Sequence, residues 1–222
     1  MITPDYDKAA TRAAETLLRF GINSAPINPI PMILGMPDVV TLVTFSDLSD
    51  NIGIKRQDLM KKVAAAPDAF SSVSVVDGEL KYIIAYNAKL GENNHSLHCA
   101  LAREFGHVML QHDGSLPYDV CMEEVRCFHH HLLCPRPLIH LIQSAGIRIT
   151  SATLNFMTGC NDQCLASMKT LPATHVPAFL NEAIRDFFKE YFINHFECQR
   201  VRSLNDGTAL ADFGTYMDGY EE

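Results

Sequence analysis

The chain has 222 residues, 47% hydrophobic and 20% charged, with 11 prolines against 12 glycines. That length buries a core without disulfide or metal staples, and that composition excludes a disordered, collagenous or low-complexity polymer. Eighteen basic against 26 acidic residues give a net charge of −8, which excludes a protein that coats nucleic acid or anionic membrane nonspecifically.

From Asp5 to Phe20 the apolar positions Ala9, Ala13, Leu17 and Phe20 recur at helical spacing, and Gly21 stops the run. Pro26, Pro29 and Pro31 punctuate a turn before a short helical segment, Met32 to Leu34. Val39 to Phe45 is β-branched and reads as a strand, and a helix pair is expected through Ser46 to Ala65. The clearest hairpin signal is Val73 to Val76, Asp77-Gly78, then Leu80 to Tyr86, because Asp-Gly supplies the positive φ angles of a two-residue turn. Beyond Leu90 the pattern is helical. Asn94 caps a helix that stops at Gly114, and a second helix runs from Pro117 to Cys134, where Pro135 ends it. Strands early and helices late predict an α+β chain, with a small antiparallel or mixed sheet and an all-helical C-terminal part.

Ten histidines and seven cysteines are the unusual counts, since these side chains bind transition metals. The cysteines are odd in number and form no C-x-x-C pair, so reduced thiols in a cytoplasmic protein are expected. The N-terminal stretch lacks the basic and apolar regions of a signal peptide, and no apolar run is long enough to predict a membrane span.

In the helix after Asn94, Leu97, Leu101, Phe105, Val108 and Met109 form an apolar stripe. Ala100, Arg103, Glu104, His107 and Gln111 share another face, being related by steps of three and four. In the next helix Val120, Glu124, Cys127 and His131 lie on one stripe, with Phe128 and Leu132 near another. The run Arg103-Glu104-Phe105-Gly106-His107 is followed, seventeen residues after His107, by Glu124-Val125-Arg126-Cys127-Phe128 and then Leu132-Leu133-Cys134-Pro135.

Over these residues the sequence resembles the ImmA/IrrE family (the IrrE N-terminal-like domain, DUF955), which carries H-E-x-G-H on one helix and E-A-N-x-F-A-x-x-L-L-x-P on the next. The resemblance covers roughly residues 1 to 170 and is most specific from 100 to 135. It implies a zincin-like metallopeptidase scaffold, in which two histidines and a downstream glutamate bind Zn²⁺ and the motif glutamate polarises the bound water. Carried over, Glu104 takes the general-base position, and His107 and Glu124 take metal-ligand positions.

Arg103 stands where the resemblance implies the first zinc ligand. A guanidinium offers no lone pair, and its charge opposes a dication about 4 Å away by about 8 kcal/mol at an effective dielectric of about 20. Complete protein zinc sites gain only about 10 to 16 kcal/mol, so no resident cofactor is expected unless other residues rescue the site. Arg103 is expected instead to pair with Glu124 or Glu104, taking the cation's place. Among rescue ligands for zinc, Cys127 and His131 are the best placed. Cys99 and Cys127 also read as small buried side chains, and His98 and His112 as solvent-side residues. His129, His130 and His131 look like a metal tag, but successive helical positions diverge by about 100° and are not expected to converge on one ion, so they read as solvated or partly packed.

Leu138 to Ser144, Ser151 to Met157 and Asn161 to Lys169 read as three short helices resembling a helix-turn-helix, with little basic charge for DNA. The helix from Pro177 to about Arg202 carries Phe179, Ile184, Phe187, Phe188, Tyr191, Phe192 and Phe196, a stripe suited to core or to a homodimer through residues 177 to 200. The last twenty residues hold five acidic and no basic side chains. The expected organisation is a metallopeptidase-type domain over 1–135, a helix-turn-helix-like part over 136–172, an aromatic-rich helix over 173–202 and an acidic tail over 203–222.

The resemblance implies a cytoplasmic protein of a phage or other mobile element. With Arg103 in place, whether it is an enzyme stays open, and the favoured reading is a non-hydrolytic regulator that binds a helix-turn-helix repressor or another protein. Two alternatives stand beside it: a zinc endopeptidase that cleaves such a repressor, and a DNA-binding regulator acting through residues 137–170.

Overall fold

The computed structural model describes residues 2–62, 68–91, 94–144, 149–160 and 162–198. The expected acidic tail, Gly146 and the end of the last helix beyond Cys198 lie outside the described residues. The chain divides into two compact units: one is Asn28–Val125 with residues 1–3, the other Pro4–Ile27 with the residues from Arg126 onward.

The first unit opens on α2 (Pro29–Leu34), whose N-cap Asn28 accepts from the Ile30 amide at 2.9 Å. β1 (Val40–Thr44) follows, then α3 (Phe45–Ile52) and α4 (Arg56–Lys62). The strand ends one residue before its expected limit because Thr44 caps α3, its hydroxyl accepting from the Asp47 amide at 3.1 Å. β2 (Ala69–Val76) and β3 (Glu79–Tyr86) form the hairpin that Asp77-Gly78 predicts, with φ of 52° and 82° at the two turn residues. The sheet is mixed, with order β1-β3-β2: β1 runs parallel to β3 and β2 antiparallel to it, so β2 is an edge.

Phe45, Leu59 and Ala85 are buried together, with Val43, Leu48, Ile54 and Phe70 packed around them. The rings of Phe45 and Phe70 stack with centroids 5.7 Å apart. α5 (His95–Met109) packs on β2, β3 and α2 through buried Leu97, Leu101, Phe105 and Val108. Asn94 caps it as expected, its Oδ1 accepting from the amides of Ser96 at 2.8 Å and Leu97 at 3.2 Å. The first part of α6 (Tyr118–Leu133) completes this unit.

The second unit gathers α1 (Tyr6–Arg19), the rest of α6, α7 (Arg136–Ser144), α8 (Ser151–Thr158), α9 (Asp162–Met168) and α10 (Ala178–Cys198). α10 packs on α7 and α1. α1 offers Ala9, Ala10, Ala13, Ala14 and Leu17 as its buried face, small side chains that let a neighbouring helix approach closely. The aromatic stripe of α10 is divided: Ile184 and Phe188 are buried, whereas Phe179 and Phe187 are exposed, and the side chains of Phe192 and Phe196 lie outside the described residues. No helix among the described residues is long and apolar enough to cross a membrane.

Candidate functional site

α5 does not run to Gly114. It ends at Met109, and Gln111 takes a left-handed φ of 58°. The His112 amide donates to His107 O at 3.0 Å and the Gln111 amide to Val108 O at 3.1 Å, the paired bonds of a Schellman motif. A helix continued to Gly114 would carry His112 away from His107, but this reversal returns it over the preceding turn. His112 is consequently buried, not on the solvent side, and His98 is buried as well. Gln111 holds a conformation that costs a side-chain-bearing residue about 1 kcal/mol. Gln111→Gly is therefore expected to raise stability by up to about 1 kcal/mol and Gln111→Val to lower it, measured as shifts in urea midpoint at constant slope.

The reversal assembles a polar chain. His112 Nδ1 lies 3.0 Å from His107 Nδ1, and His112 Nε2 lies 2.9 Å from Glu124 Oε2. The Tyr82 hydroxyl donates to the His112 carbonyl at 3.1 Å. A carboxylate only accepts, so His112 donates from Nε2 to Glu124, and its other ring nitrogen shares a hydrogen bond with His107 Nδ1. Burial foremost, then the neighbouring His112 and the Arg103 cation, hold the His107 imidazole down at about 4, so it is neutral at pH 7.

Glu104 belongs to a second group. It is buried, and it accepts from Ser71 Oγ of β2 at 2.7 Å and from Arg103 Nε at 3.0 Å. Of the two partners the sequence offers Arg103, the structure selects Glu104, while Glu124 is engaged by His112. Both groups line a cleft of about 470 Å³ whose wall includes Phe70, Ser71, Ser72 and Val73 of the edge strand β2.

The donor set does not fit a zinc ion held as the resemblance implies. His107 Nδ1 and Glu124 Oε2 contact opposite nitrogens of one imidazole, so the width of the His112 ring separates them. Arg103 keeps its cation on Glu104. The expected rescue ligands are engaged inside the second unit: the Cys127 thiol donates to Tyr6 O at 3.4 Å, and His131 Nε2 lies 3.1 Å from Thr174 Oγ1. The side chain that meets His107 and Glu124 is His112, whose signal was the two-nitrogen reach of a histidine placed just past the helix end.

The histidine run is also corrected. His129, His130 and His131 are all buried. Burial first of all pushes the His130 and His131 imidazoles well below 6.5. His129 and His130, although about 100° apart on α6, lean together with ring centroids 3.9 Å apart. The described residues of the second unit thus bring His129, His130 and Cys164 together, with one ligand atom of each within 4.8 Å of the others.

Compared with models of protein families, with curated proteins and with solved structures, the chain finds no match in any of the three.

Proposed function

We propose that the chain is an ImmA/IrrE-like protein of a phage or other mobile element. Its first unit is a zincin-like scaffold with a degenerate metal site, followed by helical segments of the helix-turn-helix type. It acts in the cytoplasm by binding a protein, such as a helix-turn-helix repressor, without hydrolysing it. The observation that carries this reading is the Arg103–Glu104 ion pair at 3.0 Å. It sets a fixed positive charge on the general-base position, where the resemblance implies a metal and its activated water. The Glu104 carboxylate is already engaged by that guanidinium and by the Ser71 hydroxyl, partners with which a water to be activated would have to compete.

Protein binding is supported by the cleft itself. One wall is an edge strand, and an edge strand presents unpaired backbone groups that an extended peptide can satisfy. Exposed Phe179 and Phe187 on α10 are the surface that self-association through residues 177–200 would use. The DNA-binding alternative draws no comparable support, because α8 and α9 carry no lysine or arginine.

The test is co-expression of the full chain with the products of neighbouring reading frames, followed by size exclusion and intact mass measurement. The expected result is a co-eluting partner of uncut mass, indifferent to a chelator and weakened at least tenfold by Ser72→Pro in the edge strand. A cut partner whose cutting stops on Glu104→Gln would overturn the proposal in favour of the zinc endopeptidase.

A further inference from the structure

The second unit holds a set of donors that the proposed function leaves unused. Cys164 Sγ of α9 lies 3.4 Å from His130 Nδ1 and 3.9 Å from His129 Nε2 of α6. The three atoms are mutually within 4.8 Å. A metal ion bound tetrahedrally at about 2.3 Å from sulfur and about 2.05 Å from nitrogen separates S from N by about 3.6 Å and N from N by about 3.3 Å. The observed spacings bracket the first value, so closing the trio on an ion requires side-chain shifts of a few tenths of an ångström and no new backbone path. We propose that His129, His130 and Cys164 form a binding site for one thiophilic transition-metal ion, with Zn²⁺ as the ion of reference.

Two further features match such a site. The other nitrogen of His130, Nε2, is hydrogen-bonded to Ser167 Oγ. A partner on the second ring nitrogen fixes the tautomer and aims the first at the metal, as the outer partners of ligating histidines commonly do. All three ligands are buried, which suits a thiolate that must be protected from oxidation and a site that staples one helix to another. Three protein ligands leave one position for water or a small anion, and the soft sulfur selects against Mg²⁺ and Ca²⁺. Arg126 of α6 also donates to Ser167 O of α9 at 3.1 Å and to Thr170 Oγ1, just past that helix, at 3.0 Å, so protein hydrogen bonds already hold α9 against α6 at this point.

The site is independent of the cleft, and the experiment separates the two. Full-length protein is stripped with chelator, dialysed against Zn²⁺ or Co²⁺ alone, and assayed for metal per chain. The expected result is one ion per chain and, with Co²⁺, a thiolate-to-cobalt charge-transfer band. Cys164→Ser should abolish the band and weaken binding at least a hundredfold, while His107→Ala and Glu124→Gln retain both ion and band. Because buried substitutions can impair folding, far-ultraviolet circular dichroism accompanies each variant. The wild-type cobalt spectrum tests the site without any substitution. Fewer than about 0.1 ions per chain, cobalt bound without the sulfur band, or an ion lost with His107→Ala and kept with Cys164→Ser would each overturn the proposal.

Discussion

Arg103→Leu is expected to lower stability by about 2 kcal/mol, and Glu104→Gln added to it is expected to recover most of that loss. Glu104 is buried and its two partners are Ser71 and Arg103. Removing the guanidinium leaves a carboxylate out of water with one hydroxyl for compensation. Breaking a fully buried pair in this way costs about 3 to 5 kcal/mol, and the one-third exposure of the Arg103 side chain reduces the figure by solvent screening. Glutamine keeps the Ser71 hydrogen bond and carries no charge to compensate. A double-mutant cycle on urea denaturation should therefore give a coupling of about 1 to 2 kcal/mol. A coupling below about 0.5 kcal/mol would mean that the pair is a surface contact and that Arg103 does not serve as the replacement cation.

The same substitution site tests the metal argument. In a Cys164→Ser background, which removes the sulfur ligand of the proposed second-unit site, the unaltered cleft is expected to take up no zinc. Arg103→His combined with His112→Ala removes the repulsion of about 8 kcal/mol and frees His107 and Glu124 from the intervening ring. That double variant is expected to bind one zinc per chain, whereas Arg103→His alone binds far more weakly. Equal zinc uptake with and without His112 would show that the ring does not hold the two ligand positions apart.

Much of the fold was legible because its signals are local. Asp77-Gly78 dictates a hairpin wherever it sits between β-branched runs, and Asn94 and Pro135 mark helix ends through capping and a missing amide. The place of α1 was not legible. Its alanine face says that something packs closely there, but only contacts with α10, more than 150 residues later, group it with the later helices. In the site, charge and spacing offered Arg103 two carboxylates, Glu124 and Glu104, and only the structure chooses Glu104. The place of His112 was not legible, because Gly114 is the stronger helix-stop signal and nothing in glutamine announces a left-handed residue at 111. The histidine run misled for a related reason: angular spacing on a helix fixes where Cβ atoms point, while an imidazole reaches far enough for neighbouring rings to meet around Cys164.

Acidification from pH 7 to 4 is expected to destabilise the protein by about 2 to 3 kcal/mol through His107 alone. In the unfolded chain this imidazole titrates near 6.5, and in the fold it is held at about 4, first by burial and then by His112 and Arg103. Between those two values the unfolded state binds a proton that the folded state refuses, so stability falls as pH falls through the window and levels off below about pH 4. The separation corresponds to about 3 kcal/mol, lowered somewhat by the exposed edge of the ring. His130 and His131 lean the same way, but their contribution is common to wild type and to a His107→Gln variant and cancels in the comparison. The measured quantity is thus the difference between the two proteins in unfolding free energy at pH 7, 5.5 and 4. It should shrink by about 2 kcal/mol or more toward the acid end, and a difference that stays constant would mean that His107 titrates as a solvated histidine. Arg103→Leu supplies the cross-check, since loss of the neighbouring cation should raise the midpoint of the His107 ring followed by nuclear magnetic resonance. An unmoved midpoint would leave burial and His112 to account for the whole depression and detach the guanidinium from the polar chain.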